Sequence, residues 1–389
     1  MNNKNPIKIM TNKHIARSLA LSGLLLIITG CNNSLVNNKA IQPVANIPAL
    51  PDKTTGQADS KADSKDDHTA ADDSASTSEG ISAVVNANNQ FAVTMYQQLN
   101  GQSKQVDANV FFSPYSLTSA IAMLYAAAEG NTKAQIQKTF YYPSLPILNP
   151  NSAALYNQFN KPSPNYKLNT INDLWLQQGL TPTKSYIDTV QRYYSGQVTA
   201  LDFEGSPDPA RQTINKKIVE KTKQMIPELL PKGSIKSDTA VVLTNAVYFK
   251  GDWTLPFTAE RTSAQPFYNA IGRASTVQMM QQQSYFSYYE DKHIQVVQLP
   301  YKGDVLYMLV VLPKLNHKLA MQQLAKSLNA TKIKQWSAGL VRQEVDLQLP
   351  KFKLDARYQM KTLLADMGMP KAFNNGAEFN LYADGPPIK

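Results

Sequence analysis

Cysteine and histidine are among the residues that this sequence has least of. Cys31 is the only cysteine in 389 residues, so the chain cannot form an internal disulfide bond. The four histidines, His14, His68, His293 and His317, are scattered and do not have the spacing of metal ligands. A Gly-x-Ser-x-Gly nucleophile turn and a glycine-rich phosphate-binding loop are also missing. The sequence therefore gives little support to an enzyme, and we expect no cofactor and no metal.

The apolar run near the N-terminus, residues 19–28, is too short to span a bilayer comfortably. Four basic residues precede it, and Ile28-Thr29-Gly30-Cys31 closes it. This arrangement resembles a bacterial lipoprotein signal with its lipobox, which implies that Cys31 becomes the acylated first residue of the mature chain. Asn32, by the same resemblance, favours sorting to the outer membrane in a cell with two membranes. An ordinary signal peptide with an incidental cysteine is the alternative.

Composition and charge divide the chain into three regions. Residues 1–30 form the expected signal peptide. Residues 31–80 have no apolar period, and we expect a disordered tether that holds the rest of the chain off a membrane surface. Residues 81–389 have the composition of a globular domain. The signal carries a charge of +4 and the tether has four lysines against eight acidic residues, so the domain carries the whole net charge of +10.

A basic domain attracts polyanions, but the lysines here are scattered along the sequence. A polyanion partner and a merely solvated basic surface both fit this distribution. We expect no nucleic-acid partner. The partners expected are a membrane, through the lipid on Cys31, and a protease whose identity the sequence does not reveal.

The stretch 241–257, VVLTNAVYFKGDWTLPF, has the pattern of a strand buried on both faces, because its first nine residues carry no charge and are mostly apolar or aromatic. The turn signal at 250–252 ends it, and Trp253 and Phe257 follow. An ordinary core strand with a core corner also fits this pattern. Asn245 is the exception in the run, since a buried amide costs free energy unless it is paired. We expect it to bond neighbouring backbone or hydroxyl groups.

Helices are predicted wherever apolar residues recur at helical spacing. These segments are 91–99, 114–128, 132–140, 184–195, 211–230, 320–334 and 356–367. Residues 168–182 are predicted as a strand and turn, and the other strand-like runs are 197–203, 241–249, 276–280, 285–290, 294–301, 305–313 and 344–355.

Eight motifs along the domain resemble those of serpins in their order and spacing. They are SPYSLTSAIAMLYAAAEGNT (113–132), INDLWLQQGL (171–180), LTNAVYFKGDW (243–253), MM (279–280), QLPYKG (298–303), MLVVLP (308–313), LPKFKLD (349–355) and LLADMGMPKAF (363–373). The resemblance covers residues 85–389. It implies an α+β serpin fold with three β-sheets and eight or nine helices. It also implies an inhibitor of serine or cysteine endopeptidases that acts by loop cleavage and strand insertion.

The resemblance assigns roles to particular residues. Val241–Phe249 corresponds to the third strand of the large sheet, and Trp253 to the tryptophan of the breach, where an inserting loop first enters. Ser113, Ser116 and Asn245 correspond to the shutter, a polar cluster under the centre of that sheet. The methionine pair 279–280 is expected to pack in the core rather than to bind a soft metal.

The sequence departs from the family pattern at two internal positions. Lys217 stands where the helix motif usually has a tryptophan after an Asn-Lys pair. Ala127-Ala128-Glu129 replaces the usual small residue and glycine before Gly130.

The last stretch, residues 376–389, aligns just before the fifth strand of the large sheet. We therefore expect that fifth strand, which would be a sheet neighbour of Val241–Phe249, to lie beyond Lys389, together with the hinge, the reactive loop with its scissile bond and the last two strands of the second sheet. On that expectation the chain as given does not inhibit a protease, and isolated 81–389 is prone to aggregate. A non-inhibitory surface binding module and a truncated product without a stable native state are the alternatives.

Overall fold

The computed structural model describes residues 7–9, 70–102, 109–268, 274–314, 320–354, 356, 358, 360–374 and 376–380. Cys31 and nearly all of the expected signal and tether lie outside these residues. Within the described ranges we find no helix that is both long enough and apolar enough to cross a membrane.

The described residues form nine α-helices, nine strands and one short 3-10 helix at Pro370–Phe373. The helices are α1 Ser78–Gln102, α2 Pro114–Ala127, α3 Gly130–Phe140, α4 Leu145–Asn160, α5 Lys184–Tyr194, α6 Pro207–Lys221, α7 Ala320–Ser327, α8 Ala330–Ala338 and α9 Met360–Asp366. The strands are β1 Ile7–Ile9, β2 Tyr166–Gln177, β3 Gln197–Leu201, β4 Val241–Gly251, β5 Thr262–Tyr268, β6 Ala274–Glu290, β7 Ile294–Pro300, β8 Tyr307–Pro313 and β9 Val341–Pro350.

The strands form two hydrogen-bonded sheets. The smaller has the order β3-β2-β4, with β2 parallel to β3 and antiparallel to β4. The larger has the order β1-β9-β6-β7-β8, and β5 also pairs with β6. The family resemblance implies three sheets, and β6 explains the difference. It is one strand of 17 residues whose start pairs with β5 and whose end pairs with β7, so it joins the two halves of the larger sheet.

The short strand β1 lies on the edge of β9 that faces away from β6. Ile7–Ile9 pairs in parallel with Val345–Leu347. We expected residues 1–30 to lie outside the fold, and these three residues do contact it. The pairing shows that this edge of β9 can accept a strand.

The core follows from the alternation of side chains along β2. Leu174 and Leu176 belong to the main hydrophobic cluster, which includes the stacked rings of Phe91 and Phe140, 4.2 Å apart. Trp175 points to the opposite face of the sheet and packs with Ile214 of α6. The smaller sheet is therefore covered on both faces.

Residues 71–77, which we call the strap, pack against α4 and α5 before α1 begins. Asn157 exchanges two hydrogen bonds with the backbone of Ala71, at 2.9 and 2.8 Å. Arg192 holds the Asp72 carboxylate through two nitrogens, each at 2.6 Å. The backbone N–H of Thr77 donates to Asn151 at 2.9 Å. These contacts begin ten residues before residue 81, where we expected the domain to start.

Candidate functional site

The family resemblance makes β4 the third strand of the large sheet, but among the described residues β4 lies in the smaller sheet and is paired along one edge only. It runs antiparallel to β2 from Val241 opposite Leu176 to Gly251 opposite Tyr166. In the part of the chain that the structure describes, no strand pairs with its other edge. The open edge is a place where another extended segment can add to the sheet.

The residues of β4 that offer this edge follow from one hydrogen bond of β2 and the register of the two strands. The backbone N–H of Thr170 donates to the Asn160 side chain at 2.7 Å and so points away from β4. Val247 lies directly opposite Thr170. In an antiparallel pair, two opposite residues either both turn their backbone N–H and C=O toward the partner strand or both turn them away from it. Val247 therefore turns its N–H and C=O to the open edge. The other residues in the same phase are Val241, Leu243, Asn245 and Phe249.

The two faces of β4 are covered, as the sequence predicts. On one face Ala246 packs with Ile218 of α6, and the Trp175 indole donates to Thr244 at 2.9 Å. On the other face Val241 and Leu243 pack against the main cluster. Thr244 and Ala246 are buried, and the rest of the strand is mostly half-buried. The open edge therefore belongs to a strand that is otherwise inside the domain.

Asn245 makes a polar contact with β2, but with a different type of partner from the one expected. Its side-chain nitrogen donates to the side-chain oxygen of Asn172 at 2.5 Å, and the side-chain nitrogen of Asn172 in turn donates to the backbone oxygen of Tyr194 at 2.9 Å. Among the described residues, the buried carbonyl oxygen of Asn245 accepts no hydrogen bond. The chain of amides ties β4 through β2 to the end of α5, and it leaves an acceptor midway along the edge strand β4.

Ser113 and Ser116 lie at the start of α2. The hydroxyl of Ser113 accepts a hydrogen bond from the backbone N–H of Ser116 at 3.2 Å and caps the helix. Neither serine is hydrogen-bonded to Asn245 in the described part of the chain. Ser113 lines a cavity of about 70 Å³ together with Asn172 and Val247, whereas neither Asn245 nor Ser116 lines it.

Trp253 lies just beyond the end of β4, where the breach is expected. Its indole stacks on the ring of Tyr301, with centroids 4.3 Å apart and planes inclined by 15°. Phe249 meets the same ring edge-on at 4.8 Å. Backbone bonds from Lys302 to Asp252 and from Thr254 to Pro300 hold the two segments together, at 2.8 and 2.9 Å.

Lys217, which departs from the family motif, pairs with Asp173, a residue that the sequence analysis does not single out. Its ammonium donates to Asp173 of β2 and to Gln197 of β3, both at 2.7 Å, and lies 5.0 Å from the ring of Trp175. Burial raises the pKa of the Asp173 carboxyl, and the bond from Lys217 partly opposes this. The only signal in the sequence is the polar pair Asn172-Asp173 between the apolar residues Ile171 and Leu174 of this strand.

The site has the chemistry of strand pairing. Across the residues that the structure describes, no group of three or more histidine, cysteine or acidic side chains could hold a metal ion. What the site offers is a row of backbone groups on β4, with an amide pair at its middle and an aromatic stack at its end.

Comparison with known proteins agrees with this architecture. A family model described as Serpin (serine protease inhibitor) matches residues 86–388. An uncharacterized serpin-like protein of Methanosarcina mazei is 36% identical over 304 residues, which cover 78% of this chain and 71% of that protein. Leukocyte elastase inhibitor of Xenopus laevis is 35% identical over 292 residues, which cover 74% of this chain and 77% of that protein.

The fold is also similar to solved serpin structures. Human thyroxine-binding globulin matches with a TM-score of 0.72 and 26% sequence identity, and the match covers 80% of this chain and 83% of that one. The α+β fold expected from the sequence is confirmed. This chain belongs to the serpin family.

Proposed function

We propose that this protein is a serpin-type inhibitor of serine or cysteine endopeptidases, in which a segment released by cleavage adds to the open edge of β4. The observation that carries the proposal is the edge of β4 with which no strand pairs among the described residues; β4 is mostly apolar, is covered on both faces and carries no charge from Val241 to Phe249. The similarity to leukocyte elastase inhibitor of Xenopus laevis supports it.

The physical basis is the gain from completing the sheet. Each residue of β4 that faces the open edge offers one donor and one acceptor, and an added strand pairs them with its own backbone. The added side chains cover the half-buried residues of β4, which removes more apolar surface from water. Insertion is therefore strongly favourable once a segment of sufficient length is free to enter.

Two features of the site suit the control of such an insertion. Trp253 and Tyr301 form a stack at one end of β4, where an entering strand would first meet the sheet. The unpartnered oxygen of Asn245 lies midway along the strand, where an added residue with a donor could bond it. Entry and passage of the strand are the two steps that these groups would govern.

The proposal includes the location of the inhibitor. The basic and apolar start of the chain, Cys31 and the polar segment before the strap together suit a lipid-anchored protein facing away from the cytoplasm. A tether of this length would let the domain meet proteases near the membrane surface.

The edge of β4 can be tested with a synthetic peptide of alternating threonine and alanine, as long as the 11-residue β4. Residues 31–389 are heated with and without the peptide, and we expect a clear rise in the unfolding temperature. Val247→Pro removes an N–H from the open edge and should abolish the rise while the protein stays folded. Tyr248→Pro is the matched control, since it removes an N–H that faces β2 and should lower stability without peptide. A peptide that gives no rise, or one equally effective on Val247→Pro, contradicts the acceptor edge.

Inhibition itself is tested with the protein isolated from its source cells. It is incubated with trypsin-, chymotrypsin-, elastase- and papain-like enzymes, and denaturing electrophoresis detects covalent complexes. A denaturant-resistant complex with any of them supports the inhibitor. Cleavage without a complex favours a second candidate function, that of a non-inhibitory binding module. The similarity to thyroxine-binding globulin is the observation that supports this candidate.

A further inference from the structure

The outer edge of β9, by which we mean the edge that faces away from β6, is largely open. Ile7–Ile9 pairs only with Val345–Leu347. Along residues 341–344 no strand lies on this edge in the part of the chain that the structure describes. These residues are exposed or half-buried, and Val341 is 60% exposed. An exposed β-branched residue on an open edge marks a place where another strand can add.

The seat of Ile7–Ile9 shows what the outer edge of β9 accepts. Its two isoleucines lie beside Val345 and Leu347, which are buried, and Lys8 lies beside Asp346. The added strand therefore continues the alternation of β9, with apolar side chains on the core face and opposite charges on the other face. A strand that adds to the open part of this edge should meet the same two conditions.

The open part of β9 meets these conditions when it pairs with itself. Two copies related by a two-fold axis at Gln343 pair in antiparallel fashion, and the same residues meet twice. Arg342 of each copy then lies opposite Glu344 of the other. Val341 of each copy lies opposite Val345 of the other, so the exposed valine gains an apolar neighbour.

Other registers of this pairing are unfavourable. An axis one residue earlier places Arg342 opposite Arg342 of the other copy, and an axis one residue later does the same to Glu344. Like charges directly opposite each other are destabilising. Neither side chain has an ion pair within the described ranges, since Arg342 lies over the ring of Tyr285 and Glu344 accepts a hydrogen bond from Gln283. Both charges can therefore pair with a second copy.

We propose that two copies of this chain associate through the outer edges of β9, with the two-fold axis at Gln343. Ile7–Ile9 covers Val345, so this segment must leave before the pairing is complete, and removal of residues 1–30 as a signal frees it. Pairing of residues 341–345 alone is small beside a stable interface of about 1,200–2,000 Å². The dimer is therefore weak in solution, and lipid anchors in one membrane strengthen it by raising the local concentration.

The test is sedimentation velocity of residues 31–389, which keep every described element except β1. We expect a monomer–dimer equilibrium that depends on concentration. Arg342→Glu should weaken dimerisation by about tenfold or more, because two attractive pairs become repulsive. Arg342→Glu/Glu344→Arg exchanges the charges and should restore the dimer. Arg261→Glu is the matched control, since Arg261 is exposed and lies outside β9.

A disulfide trap tests the register. In a Cys31→Ser chain, Gln343→Cys should give a disulfide-linked dimer on oxidation, because residues directly opposite each other lie within reach of a disulfide bond. Val341→Cys places the thiol at a more exposed position but away from the axis, so it should give far less. A peptide of residues 5–12 should dissociate the dimer, because its isoleucines take part of the same edge.

Three results overturn the proposal: a chain that is monomeric at every concentration, an exchange of charges that does not restore the dimer, or equal cross-linking at positions 341 and 343. If such a monomer binds the peptide, residues 7–9 are the occupant of the edge instead. Val247→Pro should leave the dimer intact, because it alters only the open edge of β4. Loss of the dimer in Val247→Pro would mean that the copies associate through β4.

Discussion

Lys217 of α6 donates a 2.7 Å hydrogen bond to Asp173 of β2, and the side chains are 22% and 2% exposed. This is the one ion pair among the described residues that ties α6 to the smaller sheet. The ammonium also lies over the ring of Trp175 at 5.0 Å, so it is held from two directions. The ion pair therefore holds α6 against one face of the smaller sheet, whose β4 edge is open. Lys217 makes this pair from the position where the family motif usually has a tryptophan.

Removing the lysine should be costly, because it leaves a buried carboxylate without a partner. We expect Lys217→Met to lower the free energy of unfolding by about 3 kcal/mol at neutral pH. The double variant Asp173→Asn/Lys217→Met should recover much of this loss, since no charge then remains buried. Urea unfolding followed by circular dichroism measures both values.

The loss should also depend on pH, with a definite sign. Burial raises the pKa of Asp173, and without Lys217 nothing nearby opposes that shift as strongly. A raised pKa in the folded state means that protonation favours folding, so stability falls as pH rises through that pKa. Lys217→Met should therefore approach wild-type stability in acid. A deficit that is the same from acid to neutral pH would rule out the ion pair as its cause.

The spacing of apolar residues in the sequence predicts those helices and strands whose pattern lies within the element itself. The apolar spacing around Phe91 and Leu124 predicts α1 and α2, and the uncharged run at 241–249 predicts β4. Helix α4 was missed, because Pro146 and Pro150 hide its periodic pattern. The segment 211–230 was predicted as one helix, but α6 ends at Lys221, and Lys223 and Gln224 adopt positive φ angles of 50° and 63°.

The contacts that build the site are beyond such local signals. Asn245 meets Asn172 across 73 positions of the chain, and Lys217 meets Asp173 across 44. Neither contact can be predicted from the periodic pattern of the sequence, because both depend on which elements become neighbours and in which register. A buried polar residue in an apolar run predicts that a partner exists, but only the fold identifies the partner.

The strap should detach in strong acid. The hydrogen bonds of Ser74, together with Arg192, lower the pKa of Asp72 from 3.8 to about 2. A carboxylate whose pKa is lower in the docked state than in the undocked state stabilises docking at pH values above its undocked pKa. This stabilisation is lost as the pH falls through its docked pKa. Docking should therefore fade between pH 3.8 and about 2. Fluorescence anisotropy of a dye on Ala70→Cys, in a Cys31→Ser chain, measures the release.

Two variants give the controls for the strap. Asp72→Asn should dock more weakly at neutral pH and show no step between pH 3.8 and about 2. Glu79→Gln removes an exposed acid at the start of α1 and should leave the step in place. The same step in Asp72→Asn would mean that another group controls docking.

Lipid attachment at Cys31 remains a prediction from the lipobox, since this residue lies outside the described ranges. Cells that produce the protein should incorporate a radioactive fatty acid into it, and Cys31→Ser should abolish the label. Protein level, measured by immunoblot, is the control for expression. Label that persists in the serine variant, or that the wild type never takes up, is incompatible with a lipoprotein.

The stack of Trp253 on Tyr301 should couple the end of β4 to the turn after β7. Stacked aromatic pairs contribute about 0.5–1.5 kcal/mol beyond the area that they bury. A double-mutant cycle of Trp253→Ala and Tyr301→Ala should therefore give a coupling of about 1 kcal/mol in urea unfolding. Trp253→Phe, which keeps a ring, should retain most of it. If this end of β4 is also where a strand enters, Trp253→Ala should bind the threonine–alanine peptide faster than the wild type does. A coupling near zero contradicts the stack, whereas a normal coupling with an unchanged rate of peptide binding contradicts only its role in entry.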